Sequence, residues 1–323
     1  TTFKRNILIT GGAGFIGSHV VRLFVNKYPE YRIINLDKLT YAGNLANLKD
    51  IENQPNYVFV KANICDYEKM QELMELYHVD GIIHLAAESH VDRSIKDPFT
   101  FARTNVMGTL SLLQALSVKN KNGTSPGIRE GFLLRGYEVQ PAQPLLCQQG
   151  EQRPLCAGVP RHVRHADHRN ELFEQLRAVS VPGEADSAVH QQHSSPQTAA
   201  GVWQGGKRAR LADVEDHARA IDVIFHNGKT AETYNIGGFN EWKNIDIIKV
   251  VIHTVDRLLG RKEGEDMDLI TYVTDRLGHD MRYAIDSTKL QKELGWEPSL
   301  QFEEGIEKTV RWYLDNQEWM DNV

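Results

Sequence analysis

The first part of the chain alternates short apolar runs with segments in which apolar residues recur at helical spacing. Residues 6–10 form an apolar run of strand length that ends at glycines, and Phe15, Ile16 and Val20 then share one helical face. The pattern predicts strands at 6–10, 33–36, 57–60 and 81–85, and helices at 15–28 and 66–76, the second with Asp66 as N-cap. Strands that alternate with helices predict an α/β fold, a mostly parallel doubly wound sheet with helices on both faces.

The last third of the chain is equally regular. The pattern predicts helices at 215–226 and 245–259, a strand at 269–273 and a final helix at 304–319, with Gly260 as the C-terminal cap of the second helix. The final helix is amphipathic, and its apolar stripe consists of Ile306, Val310, Tyr313 and Leu314.

The middle of the chain lacks both patterns. No lysine occurs between Asn122 and Gly206, no isoleucine occurs between Ile128 and Ile221, and glutamine is frequent. An irregular stretch of this length is uncommon inside a compact domain. The sequence therefore predicts three segments, an N-terminal domain at 1–116, an anomalous segment at 117–212 and a C-terminal region at 213–323.

Composition narrows the class of protein. A chain of 323 residues suggests two domains, or one large α/β unit with an appended lobe. The formal net charge of −6 does not favour nucleic-acid binding, and the apolar runs are too short to span a membrane. Thr1 opens almost directly into a strand-like segment, so no signal peptide is visible. Cys65, Cys147 and Cys156 form no C-x-x-C pair, which favours the reducing cytoplasm over a disulfide or zinc framework.

A glycine-rich turn separates the first strand from the first helix. The sequence GGAGFIG at residues 11–17 fits both G-x-G-x-x-G and G-x-x-G-x-x-G. Glycines in such a turn let a diphosphate approach the backbone N–H groups, and the positive end of the helix dipole attracts the same anion. The last glycine, Gly17, lets the helix pack close to the sheet.

An acidic residue lies at the distance that dinucleotide binding requires. Asp37 ends the second predicted strand, 20 residues after Gly17. A carboxylate at this position accepts hydrogen bonds from the adenosine ribose hydroxyls and repels a 2′-phosphate, which favours NAD over NADP. The alternative is a strand–helix turn that binds no nucleotide, with Asp37 merely solvated.

A polar loop follows the fourth predicted strand. In a doubly wound sheet the loops at the carboxyl ends of the strands line the ligand crevice. The small side chains of Ala86 and Ala87 would let a cofactor pass close to the chain, and Glu88 and Ser89 could face a hydroxyl of substrate or ribose. Taken alone, a polar loop after a strand is more often only a connection.

Together these residues resemble the extended short-chain dehydrogenase/reductase family and, within it, the nucleotide-sugar dehydratases. The resemblance is carried by residues 10–17, 37–44, 85–94, 214–220, 233–238, 275–280 and 294–296. It implies a Rossmann-type domain that holds NAD, a smaller C-terminal lobe that holds a nucleotide-sugar substrate, and a homodimer formed through helices of the Rossmann domain.

The resemblance also implies particular contacts. Cofactor contacts are implied for Gly11, Gly14, Phe15, Ile16, Gly17, Asp37, Lys38, Leu39, Thr40, Asn63, Ile64, Leu85, Ala86, Ala87, Glu88 and Thr104. Substrate contacts are implied for Ser89, Asn235, Arg276, Gly278, His279 and Asp280. The Arg276 guanidinium suits a diphosphate, although alone it would be interpreted as an exposed salt-bridging arginine. Asn63 stands where the family usually has an aspartate that faces adenine, and its carbonyl can still accept a hydrogen bond.

The implied reaction is a redox-neutral dehydration of a dTDP-linked glucose. NAD takes hydride from sugar C4, water is lost across C5 and C6, and hydride returns to C6 to give the 4-keto-6-deoxy sugar. The family oxidises the sugar with a Tyr-x-x-x-Lys pair, in which lysine lowers the tyrosine pKa, and eliminates water with a Thr-Asp-Glu cluster.

Neither catalytic motif occurs at the required place. The Tyr-x-x-x-Lys from Tyr57 to Lys61 lies on the third strand, too early in the chain, and Thr-Asp-Glu is absent. The family's spacing puts Leu145 and Gln149 at the tyrosine and lysine positions, and Ala209 replaces an arginine for the nucleotide phosphates. The sequence therefore leaves the catalytic residues unassigned.

Three explanations compete for the middle segment. Drift would scatter substitutions, but the resemblance ends abruptly near 116 and resumes near 213. An unrelated insertion would not keep the family's spacing. We interpret residues from about 117 to 212 as read in a displaced frame, which explains the loss of lysine and isoleucine together. Two other functions stay open, a catalytically inactive dinucleotide-binding protein if the printed segment is real, and a nucleotide-sugar 4-epimerase.

Histidines in the middle segment suggest a metal site only superficially. The candidates are His162, His165, Asp167, His168, His190 and His193. Zinc ligands must converge with outer-shell support, and this spacing falls on a stretch without a predicted helix. We expect no metal.

Overall fold

The computed structural model describes residues 2–117, 132–134, 163–164, 199–202, 208–229, 232–239, 241–272, 282–283, 285–317 and 319. The chain forms two compact units, the first from Thr1–Ala166, Ala212–Gly237 and Ile285–Ser299, the second from Asp167–Leu211, Gly238–Ala284 and Leu300–Val323. Each unit is discontinuous in sequence, unlike the predicted segments 1–116, 117–212 and 213–323. The reason is that residues 212–237 and 285–299 pack with the N-terminal sheet.

The strands are β1 Arg5–Thr10, β2 Tyr31–Asp37, β3 Tyr57–Lys61, β4 Gly81–His84, β5 Phe132–Leu134, β6 Val163–Arg164, β7 Ala199–Val202, β8 Arg208–Arg210, β9 Tyr234–Asn235, β10 Glu241–Lys243, β11 Ile270–Tyr272 and β12 Arg282–Tyr283. The α-helices are α1 Phe15–Lys27, α2 Tyr67–Tyr77, α3 Val91–Lys96, α4 Pro98–Ala102, α5 Thr109–Ser117, α6 Val214–Asn227, α7 Asn244–Leu258, α8 Thr288–Leu294 and α9 Phe302–Asp315. A π-helix, Arg103–Gly108, joins α4 to α5, and 3₁₀-helices occupy Leu45–Leu48 and Glu265–Leu269. No described helix is long and apolar enough to cross a membrane.

The first unit contains a five-stranded parallel sheet in the order β3-β2-β1-β4-β5. β1 is central, and Ile9 is in register with Asn35 of β2 and Ile83 of β4. The predicted doubly wound α/β fold is confirmed. β5 was not predicted, because its three apolar residues are too few to show a period.

The strands alternate their side chains between two helical layers. Ile7 and Ile9 of β1 belong to a core with α1 and α6, whereas Leu8 belongs to a second core with α2 and α5. All three of these side chains have no exposed surface. Strands buried on both faces read as continuous apolar runs, which is why the sequence showed β1, β2 and β4 clearly.

The second unit has its own core between α7 and α9. Ile248, Val251 and Ile252 of α7 are buried with Ile306 and Val310 of α9. Two small sheets accompany it, β10-β8-β12 and β11-β7.

Several predicted element ends are confirmed. Asp66 is the N-cap of α2 and accepts a hydrogen bond from Lys69 N at 3.0 Å. Gly260, with a φ of +67°, follows α7 in the left-handed conformation. The sequence did not predict the helices between 91 and 117 or α8.

Candidate dinucleotide-binding site

The chain turns sharply where β1 ends. Gly11 has a φ of +72°, and its N–H donates to Leu36 O at 2.8 Å. A Cβ at residue 11 would lie 2.6 Å from Ala86 N. Because backbone cannot yield as a flexible side chain can, only glycine fits this position.

The N-terminus of α1 follows this turn and has no capping side chain. Gly14 is the N-cap, no side chain caps the helix, and its first turn contains no acidic residue. A Cβ at Gly17 would collide with Gly11 O, so the helix packs against the turn more closely than any side chain would allow. Uncapped N–H groups at a helix N-terminus fit the diphosphate of a dinucleotide.

Asp37 links the end of β2 to the glycine turn. Its Oδ2 accepts a hydrogen bond from Ala13 N at 3.0 Å, its Oδ1 accepts one from Leu39 N at 2.8 Å, and the residue is only 8% exposed. Asp37 is therefore not a merely solvated residue. A carboxylate offers about four acceptor sites, so it keeps capacity for ribose hydroxyls.

Residues 38–44, which we name the strap, fold back over the glycine turn. Leu39 has a φ of +57°, and the hydrogen bond from its N–H to Asp37 Oδ1 holds the residue in this strained conformation. At the other end, Asn44 N donates to Ala13 O at 3.0 Å. A Cβ on Gly14 would lie 3.7 Å from Ala42 O. The strap therefore lies against the turn that would hold the diphosphate.

A buried chain of hydrogen bonds fixes the loop after β4. Thr109 Oγ1 donates to Asn105 O at 2.7 Å and therefore accepts from His84 Nε2 at 3.1 Å. His84 Nδ1 then accepts from the Thr10 hydroxyl at 2.6 Å, and Thr10 Oγ1 accepts from Ala86 N at 3.3 Å. These partners assign the Nε2–H tautomer to His84. The last residue of β1 and the loop beside it are thus joined.

Asn105 in the π-helix also holds the loop after β4, through two hydrogen bonds to the backbone of Glu88. Glu88 N donates to Asn105 Oδ1 at 2.8 Å, and Asn105 Nδ2 donates to Glu88 O at 2.9 Å. Among the described residues, Glu88 Oε2 and His90 Nδ1 are buried without a hydrogen-bond partner. Orphaned buried polar atoms of this kind fit a polar ligand. No local sequence pattern marks Asn105 or His84, because their partners are distant in the chain.

Three of the predicted cofactor contacts, Asn63, Ile64 and Thr104, lie in or beside the π-helix. Asn63 Oδ1 accepts from Cys65 N at 3.1 Å and retains a second lone pair. Ile64 is buried and packs against Gly108, and Thr104 is half-buried. Burial raises the pKa of the Cys65 thiol, which donates to Arg103 O at 3.3 Å. Cys65 is therefore a protonated packing residue and not a nucleophile.

The remaining predicted residues are placed as follows. Ile16 and Leu85 are buried, Ala86, Ala87 and Ser89 are half-buried, and Phe15, Lys38, Thr40 and Asn235 are exposed. Asn235 lies on β9 of the first unit. Arg276, Gly278, His279 and Asp280 lie outside the described residues, as do Leu145, Gln149 and the middle-segment histidines considered for a metal.

The fold and the turn define a class. A parallel sheet whose first strand leads through a glycine turn into an uncapped helix, with an acid at the end of the next strand, is a Rossmann-type dinucleotide-binding domain. The family model described as GDP-mannose 4,6 dehydratase matches residues 8–126 and 186–309, and the chain belongs to that family. The internal gap in this match, residues 127–185, falls inside the segment that the sequence pattern singled out, whereas residues 117–126 and 186–212 of that segment lie within the matched ranges.

Individual relatives agree with this assignment. The dTDP-glucose 4,6-dehydratase of Salmonella typhimurium is 39% identical over 347 residues, covering 98% of this chain and 95% of its own length. Because that match is longer than this chain, the relative carries residues that this chain lacks. The predicted resemblance to dTDP-glucose 4,6-dehydratases within the extended short-chain dehydrogenase/reductase family is confirmed.

Solved structures show the same fold. The dTDP-glucose 4,6-dehydratase of Bacillus anthracis, solved in complex with NAD, is similar with a TM-score of 0.77 and 30% identity, covering 98% of both chains. The enzyme of Streptomyces venezuelae, solved with NAD and TYD bound, has a TM-score of 0.77 and 30% identity, covering 97% of this chain and 98% of its own.

Proposed function

We propose that the first unit binds NAD at the glycine turn. The observation that carries the proposal is the hydrogen bond from Ala13 N to Asp37, because it joins the ribose-binding acid to the diphosphate-binding turn. The first N–H groups of α1 would hold the diphosphate, and Asp37 would accept the ribose hydroxyls and disfavour a 2′-phosphate. Bound NAD supplies a reversible hydride acceptor.

The other cofactor contacts follow the surface of the same crevice. Ala86 and Ala87 leave room for the cofactor beside the chain, and the Asn105–Glu88 pair keeps that loop in place. Asn63, Ile64 and Thr104 would surround the adenine. We assign the full set to Gly11, Gly14, Phe15, Ile16, Gly17, Asp37, Lys38, Leu39, Thr40, Asn63, Ile64, Leu85, Ala86, Ala87, Glu88 and Thr104.

The substrate that the relatives support is dTDP-glucose, and the product is dTDP-4-keto-6-deoxyglucose, a precursor for deoxysugars such as rhamnose. The assignment rests on the relatives' names and on the bound TYD of the Streptomyces enzyme. Ser89, Asn235, Arg276, Gly278, His279 and Asp280 are the proposed substrate contacts.

The printed chain lacks the groups that the reaction needs. Leucine at 145 has no proton to exchange, and glutamine at 149 carries no charge to lower a tyrosine pKa. We therefore assign dehydration to the chain whose residues 117–212 are read in the frame that restores Tyr-x-x-x-Lys, which we name the frame-corrected chain. Leu145 and Gln149 favour a second function for the printed chain, an inactive dinucleotide-binding protein.

Resequencing of the gene and an activity assay test this proposal. Both chains are purified, their intact masses are measured, and each is incubated with NAD and dTDP-glucose. The frame-corrected chain should form the 4-keto product, which absorbs in alkali, and the printed chain should bind NAD without turnover.

Other outcomes identify the rival functions. Turnover by the printed chain would refute its inactivity. A C4 epimer formed without loss of water would identify an epimerase. A gene sequence that encodes the printed residues at both junctions would refute the displaced frame, and the printed chain would then be the protein that cells contain.

We also propose a homodimer in the cytoplasm. Ile95, Phe99 and Met107 lie on the helices before α5, and they expose 46%, 80% and 55% of their surface. A second copy would cover these apolar side chains. Cys65, which the structure describes as a free thiol, agrees with a reducing compartment.

A further inference from the structure

The middle of the strap is held by a contact from α3, the helix that follows β4 on the other side of β1. Arg93, on α3, places its guanidinium carbon 3.7 Å from the centroid of the Tyr41 ring. This distance lies well within the range of a cation–π interaction. Tyr41 belongs to the loop after β2, and Arg93 belongs to the helix that follows the loop after β4.

The strand order shows which part of the sheet this contact spans. β2 and β4 are the two neighbours of β1, so a contact between their following segments spans the carboxyl end of β1. That end carries the glycine turn, on which Ala42 of the strap already lies. Tyr41 is 52% exposed and Arg93 is exposed, so neither side chain is part of the hydrophobic core.

We propose that Tyr41 and Arg93 form a latch that holds the strap closed over the bound dinucleotide and slows its release. Both are positioning residues, because they act through the strap. The proposal rests on the proposed NAD site. A latch suits the proposed reaction, since hydride returns to the sugar and the cofactor has no need to leave between turnovers.

Release kinetics test the latch. NADH is bound to the full chain, an excess of NAD is added, and the loss of NADH fluorescence is followed by stopped flow. Tyr41→Leu and Arg93→Gln should each speed release about 2- to 5-fold, the effect of an exposed cation–π pair. Tyr41→Phe keeps the ring and should restore most of the slow release.

A matched control removes a similar pair elsewhere. Arg32 stacks on Phe3 with its guanidinium carbon 4.7 Å from the ring centroid, at the opposite end of β2. Arg32→Gln should leave the release rate unchanged. The double variant of Tyr41 and Arg93 should release no faster than either single variant, because both changes break one contact.

Two results would overturn the latch: wild-type release rates in Tyr41→Leu, or additive effects in the double variant. A wild-type chain that binds no NADH would instead refute the proposed function. In that case amide hydrogen exchange of the unliganded chain tests whether the Tyr41–Arg93 contact holds the strap in place. Arg93→Gln should speed amide exchange in residues 38–44, and unchanged exchange there refutes the latch.

Discussion

At the scale of single residues, Asp37 has two tasks. It accepts hydrogen bonds from Ala13 and Leu39, which shape the turn and the strap. In the proposed NAD site its remaining lone pairs would accept the ribose hydroxyls. An aspartate that was merely solvated at the end of a strand would need neither partner. The same carboxylate therefore shapes the proposed site and would favour NAD over NADP there.

Asp37→Asn separates these tasks. Asparagine keeps the size of the side chain but loses the charge and one acceptor oxygen. Since a hydrogen bond to a charged group is worth about 1.5–3 kcal/mol, NAD affinity should fall roughly 10- to 100-fold and the preference over NADP should shrink. Titration calorimetry with both nucleotides measures each effect.

Asp50→Asn is the matched control. Asp50 is exposed and pairs with Arg22 at 2.7 Å, so its loss should leave nucleotide affinity unchanged. Equal NAD affinity in Asp37→Asn and wild type, with the thermal midpoint also unchanged, would refute the ribose-binding role.

At the scale of elements, one carboxylate joins α1 to α6. Asp222 of α6 has a side chain that is 3% exposed, and it accepts hydrogen bonds from Lys27 Nζ at 2.6 Å and Tyr28 OH at 2.8 Å. His226 Nδ1 lies 2.9 Å away on the same helix. Burial alone would raise the pKa of Asp222, but the hydrogen bonds from His226, Lys27 and Tyr28 outweigh it and lower the pKa. Burial and then Asp222 raise the pKa of Tyr28 to about 12.

This link predicts a pH dependence of stability. Because the pKa of Asp222 is lower in the folded chain than the unfolded value near 3.9, its contribution is present above about pH 4 and is lost as the pH falls through the folded pKa. Asp222→Asn should reduce the free energy of unfolding at pH 7 by about 1–3 kcal/mol. It should also flatten the decline below pH 4. Urea unfolding across pH 3–7 measures both effects.

An exposed pair provides the comparison. Lys69 and Glu72 on α2 lie 2.8 Å apart, and both side chains are exposed. Glu72→Gln should change the free energy of unfolding by less than about 0.5 kcal/mol. If Asp222→Asn changed the free energy of unfolding as little as Glu72→Gln, the hydrogen bonds of Asp222 between α1 and α6 would not stabilise the fold.

What the sequence could predict follows from the range of each interaction. β1, β2 and β4 were visible because both of their faces are buried, and Asp66 was visible because a cap acts within three residues. The roles of Asn105 and of the Tyr41–Arg93 contact depend on partners brought together by the sheet. No local pattern marks them.

At the scale of the whole molecule, the two ends of the chain and its middle segment differ in how much described secondary structure they contain. The first unit takes four of its five sheet strands from residues before 117, together with the entire proposed NAD site. Of residues 118–212, the part that the structure describes consists of β5, β6, β7 and β8, each of two to four residues, and residues 211–212. A segment with so little patterned apolar sequence offers little surface for completing a fold.

The printed chain should therefore be less stable than the frame-corrected chain but still respond to NAD. Its thermal transition should be broader and lower, because the sequence of the middle segment has little patterned apolar surface. NAD at 100 times its dissociation constant should stabilise the folded first unit by about 2.7 kcal/mol in either chain, since the proposed site lies outside the anomalous segment. Circular dichroism melts with and without NAD measure both effects. An equally sharp transition at the same temperature in both chains would show that the printed middle segment folds as well as the corrected one, and would contradict this prediction.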